Sequence, residues 1–193
     1  MDLDIEIIVR DIEELRPYKS NCFTIEKIHL FDKLPGNNVL LDIDILVLKD
    51  ITTYLDEYDF DEPRFVKNHW QNIDYAETHI LEGMNYVNSS MITWKDDQLK
   101  FILDFYREHK EIIEFKYEDL DTFLFHALRK KLKFHPEGMV GSYAVERYKR
   151  AIDGYRDYDY SVMMFNTSHG KGIELEDVDG EYRDLWVSYD MVY

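Results

Sequence analysis

Internal disulfides are excluded, because the chain has a single cysteine, Cys22. Long apolar runs are also missing. Runs such as Val39 to Leu41 and Ile45 to Leu48 are broken by Asp42 and Asp44. Neither approaches the ~20 apolar residues of a membrane span, so no membrane role is expected. The start, Met-Asp-Leu-Asp-Ile-Glu, lacks the basic and apolar regions of a signal peptide. Together with the lone thiol, that fits a reducing, cytoplasmic setting. Internal repeats and low-complexity segments are absent too. With 45% hydrophobic and 15% aromatic residues, the chain is too apolar to be disordered. Its 193 residues fit one domain, 1–193, with a sizeable core.

What the chain has in excess is negative charge, −17 in all. That charge is unevenly spread. Residues 1–62 hold sixteen acids against six bases, and residues 172–193 seven against one. The middle, 63–171, is nearly balanced at seventeen against sixteen. Such a field repels phosphate backbones and attracts basic proteins. Direct nucleic-acid binding is therefore not expected. The run Arg129-Lys130-Lys131-Leu132-Lys133 does not change this. It closes a predicted helix that opens with Glu118, Asp119 and Asp121, as the helix dipole favours.

The patterning predicts an α+β chain with a mixed or antiparallel sheet. Strands are expected in the N-terminal part, about 2–48, and the C-terminal part, about 158–189. A helical block, about 74–154, lies between them. Asp2 to Ile7 alternates acid and apolar, the period of a strand. Cys22–Phe31 is rich in β-formers and Val39–Leu48 alternates; Pro35-Gly36-Asn37-Asn38 between them predicts a hairpin. Asp74 with Glu77, and Thr93 with Asp96, look like capping pairs that open helices. Leu99, Ile102, Tyr106, His109 and Ile113 make an apolar stripe at helical spacing. A helix over 118–133 follows, and Ser142 is placed to cap another that ends at Gly154. Tyr158–Phe165, Ile173–Val178 and Glu181–Tyr189 read as closing strands, the last two joined by an Asp179-Gly180 turn.

The carboxylate pair Asp42-Ile43-Asp44 could share a divalent cation. On a strand the two would face the same way, about 6.6 Å apart. The segment Asp42 to Val47 resembles the metal-binding strand of nucleotidyltransferases. That resemblance implies a metal-dependent phosphoryl or nucleotidyl transfer with Asp42 and Asp44 as the catalytic pair. The Gly-Ser pair and helix that precede this strand in that family are missing here. The glycine-flanked loop Ser168-His169-Gly170-Lys171-Gly172 lacks phosphate-loop spacing and reads as a strand connection. No two of the seven histidines have the i, i+4 spacing of a helical zinc site. No cofactor and no resident metal is expected on these grounds.

If the three alternating strands share a sheet, Asp2, Asp4, Glu6, Asp42, Asp44, Glu174 and Glu176 form an acidic face. Tyr182 and Trp186 would join Asp184 on one face of the final strand, and such aromatics concentrate binding energy. Packing like charges costs stability, so the face points to a basic protein partner. The leading expectation is a non-enzymatic acidic inhibitor, of the immunity or phage counter-defence kind. It would block a basic, nucleic-acid-handling protein. The alternatives are the transfer enzyme built on Asp42 and Asp44, and a subunit of a larger assembly.

Overall fold

The structure is a computed structural model that describes residues 23–32, 34–58, 60–68, 86–117, 119–129, 131–143, 159–165, 178 and 180–190. The described part is α+β, with helices beside two three-stranded sheets. The elements run in the order β1 (Asn37–Leu41), β2 (Ile45–Val47), α1 (Thr52–Glu57), β3 (Arg64–Lys67) and β4 (Val87–Lys95). They continue with α2 (Lys100–Lys116), α3 (Leu120–Leu128), β5 (Val140–Ser142), β6 (Val162–Met164) and α4 (Gly180–Asp190). A 3-10 helix, Phe23–Phe31, precedes β1. The first sheet has the order β1-β4-β3 and is antiparallel. The second has the order β2-β6-β5, with β2 antiparallel and β5 parallel to β6.

Strand β4 organises the first sheet. Eight of its nine residues are buried, so it has no solvent face and no alternation to betray it. Ile92 and Trp94 join the larger core with Phe31, Leu99, Ile102, Phe123 and Leu124. Met91 packs instead with Val66, Val140, Val162 and Met164, between the sheets. The capping pair predicted at Thr93 and Asp96 is not a helix start. Thr93 is a buried residue of β4. Asp96 is a left-handed turn residue that exchanges hydrogen bonds with Gly36, tying the start of β1 to the end of β4. Helix α2 begins four residues later and buries Ile102, Tyr106 and Ile113 as the stripe predicts, while His109 breaks the helical geometry.

Further expectations give way. The segment 23–31 is not a strand. Ile25, Ile28 and Phe31 are buried at a spacing of three, which is the 3-10 period and puts them on one face. The expected hairpin with residues 39–48 therefore does not form. The single strand 39–48 is two strands, β1 and β2, in different sheets. Residues 181–189 are helical within α4, so Asp184, two residues from both Tyr182 and Trp186, no longer shares a face with them. The predicted helix over 118–133 shortens to α3. Ser142 ends β5 with helical backbone at Tyr143 directly after it, and the rest of the helix expected to end at Gly154 lies outside the described residues. The predicted strands 2–7 and 173–178, apart from Val178, lie outside the described residues, as does the helix at 74–87 apart from Tyr86 and Val87.

Candidate functional site

Where β1 ends and the chain crosses to the second sheet, it turns through Asp42, Ile43 and Asp44. The two aspartates are thus in a turn, not side by side on a strand as the alternation suggested. Each is fixed by its backbone to a different sheet. The Asp42 amide donates to the Ser90 carbonyl of β4 at 2.9 Å, and the Asp44 carbonyl accepts from the Phe165 amide just after β6 at 2.8 Å. Ile43, between them, is fully exposed. The pair therefore sits at the point where neighbouring strands diverge into separate sheets.

A cation and a third carboxylate complete the cluster. Lys27, on the 3-10 helix, holds Asp42 through Nζ to Oδ2 at 2.7 Å, with both side chains largely shielded. Asp121, in the first turn of α3, accepts from the Ser89 amide of β4 at 2.8 Å. Its neighbour Asp119 caps α3 by accepting from the Thr122 amide at 2.6 Å. The sequence predicted these acids as dipole complements; Asp121 is in addition a strut between helix and sheet. Burial pushes the Asp121 carboxyl up to about 6, with the charge of Asp119 adding to the rise and Lys27 opposing it. Burial also raises the Asp44 carboxyl, and repulsion from Asp42 raises it further. Lys27 acts on Asp42, Asp44 and Asp121 alike.

Among the described residues, no three His, Cys, Asp or Glu side chains converge as a protein-only metal cage. An apolar groove of about 700 Å³, lined by Phe101, Phe105, Ile112, Phe123 and His126, lies between α2 and α3. It holds no carboxylate and is separate from the cluster around Asp42.

The other residues singled out from sequence are not gathered here. Tyr182 packs edge-on against Tyr143 and Phe165, in a core cluster with Leu46, Met163 and Val178. The side chain of Trp186 lies outside the described residues, as do Asp4, Glu6, Glu174 and Glu176. Sequence reasoning missed Lys27, Asp121 and the Asn88-Ser89-Ser90 segment that anchors the cluster. One signal was available: three polar residues in succession beside a run of apolar ones.

No known family matches the sequence, and no curated protein does either. Among solved structures, the chain resembles the crystal structure of an active-site mutant of LgtC. The TM-score is 0.55 at 12% identity, covering 91% of this chain and 72% of that one. At that identity the likeness concerns the fold.

Proposed function

We propose that this chain is a divalent-metal-dependent transferase that acts on a phosphate-activated donor, with Asp42 and Asp44 as its metal-holding pair. The observation that carries this reading is the Asp42–Asp44 turn, pinned to both sheets where they diverge and flanked by Lys27 and Asp121. Magnesium and manganese commonly bind through one or two carboxylates plus the phosphates of a substrate, without an all-protein cage. The donor set here meets that demand, and Asp42 already attracts a cation in the form of Lys27. Once bound, the metal would neutralise charge on the donor's phosphates. The protein groups fix where the metal and its donor sit. The fold likeness to the glycosyltransferase LgtC favours glycosyl transfer from a nucleotide-activated sugar over nucleotidyl transfer.

The test is a panel of nucleotide-activated sugars with and without Mn²⁺, followed by nucleotide release. The wild type should release nucleotide only with metal. Asp42→Asn with Asp44→Asn should lower turnover by about 100-fold or more, the scale of losing a preorganised electrostatic group. Activity untouched by the double substitution would sink the reading.

A second reading keeps the acidic protein as an inhibitor of a basic partner. It draws on the net charge of −17 and its concentration toward both ends of the sequence. Its test is association with a basic partner captured from the host, which should slow when Asp42 and Asp44 are neutralised.

A further inference from the structure

Asp42 is already occupied. Lys27 sets Nζ 2.7 Å from its Oδ2, with side-chain exposures of only 23% and 19%, so water screens the pair poorly. Asp42 is the only hydrogen-bond acceptor for Lys27 among the described residues. The lysine is held in place by the burial of its neighbours Ile25 and Ile28 in the core. Its ammonium, by contrast, ends a flexible four-carbon stem and can move without disturbing them.

We propose that Lys27 is the resident counter-ion of the Asp42–Asp44 turn and competes with a divalent cation for the Asp42 carboxylate. This rests on the transferase reading above. A metal that arrives alone must displace the ammonium or share the carboxylate with it. Either course costs affinity, because two cations then face one another in a shielded site. A metal that arrives with a phosphate-bearing donor brings a new anion for the freed ammonium. Free metal should therefore bind weakly, and metal together with phosphate more tightly.

The experiment is calorimetric titration of Mn²⁺ into the full chain, alone and with inorganic pyrophosphate, for the wild type, Lys27→Met and Lys27→Arg. Thermal melts confirm that each variant is folded. If Lys27→Met does not fold, Lys27→Gln takes its place, because it can still hydrogen-bond Asp42 without charge. Removing the cation should tighten binding of Mn²⁺ alone by about tenfold, from a charge pair at short range in a partly screened site. Lys27→Arg, which keeps the charge, should stay within about threefold of the wild type. Pyrophosphate should tighten Mn²⁺ binding more in the wild type than in Lys27→Met. Wild-type binding of Mn²⁺ that is unchanged or weakened in Lys27→Met would overturn the competition and leave the transferase reading standing. No saturable Mn²⁺ binding in any protein, with or without pyrophosphate, would overturn both.

Discussion

Asp121 and His135 are both forced toward neutrality by burial, in opposite directions. The carboxyl of Asp121 is pushed up to about 6, and the imidazole of His135 down to about 4. Their surroundings differ in kind. Asp121 lies among groups that can carry charge: Asp119, Lys27 and, through Lys27, Asp42. His135 lies against the ring of Tyr54, whose hydroxyl is 2.9 Å from Nδ1, with Arg64 also lowering its affinity for a proton. Its backbone amide donates to Phe65, which places it in the fabric between β3 and the segment leading to β5. A shifted titration is therefore no sign of chemistry on its own. What separates the two is whether the neighbours are carboxylates and a lysine at a strand switch, or a tyrosine ring with one arginine beside it.

The largest expected effects come from crossing the two regions. His135→Ala should destabilise the protein by about 2 to 4 kcal/mol, because it opens a cavity beside Tyr54 and removes a hydrogen-bond partner of its hydroxyl. Its Mn²⁺ affinity, measured on the folded fraction, should match the wild type. Asp42→Asn with Asp44→Asn should do the reverse: a smaller change in stability, because relief of the repulsion between the two acids is offset by the loss of the charge partner of Lys27, and Mn²⁺ binding lost. Urea melts paired with calorimetry read both. A His135 variant that loses metal binding would erase the distinction between the two regions.

Acidity offers a subtler test. Asp121 binds a proton more tightly in the folded protein, so its contribution to stability is full below its ordinary value of 3.8 and is lost as pH rises through about 6. His135 binds a proton less tightly when folded, so its contribution is full above 6.5 and is lost as pH falls through about 4. Each contribution is of the order of 2 to 3 kcal/mol, and between pH 4 and 6 they oppose one another. Relative to the wild type, Asp121→Asn should become more stable as pH rises over this range. His135→Gln should become less stable over the same range. Denaturation midpoints measured at half-unit steps would reveal the crossing. Parallel curves for the two variants would mean that at least one group is not shifted.

The uneven legibility of the sequence has the same physical root. Helix α2 was readable because Ile102, Tyr106 and Ile113 bury one side of an otherwise charged helix. Strand β4 was not, because burial on both faces removes the alternation that marks a strand, and Asn88, Ser89 and Ser90 are polar residue types at buried positions. The segment 23–31 misled through β-forming residue types whose spacing of three was the true signal. Tyr182 misled in the same way, since an aromatic residue suits a strand but here packs with Leu185 from α4 against the core. Of the candidate site, Asp42 and Asp44 could be picked out from their spacing. Lys27 and Asp121 could not, because they come from elements fifteen and seventy-nine residues away in sequence and meet the pair only through the tertiary fold.

The smallest expected effect isolates the link between the helix cap and the half-buried acid Asp121. Asp119 does two things at once. It caps α3 through the Thr122 amide, and its charge helps to hold the Asp121 carboxyl high. Asp119→Asn separates them, because asparagine caps a helix about as well as aspartate but carries no charge. Stability at neutral pH should then change by less than about 0.5 kcal/mol, while the Asp121 midpoint, followed by carboxyl NMR, moves down toward the ordinary range. Asp119→Ala removes charge and cap together, so it should lower the midpoint similarly and also cost about 1 kcal/mol. If Asp121 titrates unchanged in Asp119→Asn, its shift comes from burial alone. The acids around Lys27 would then be independent groups, and the contrast with His135 would shrink to one of position.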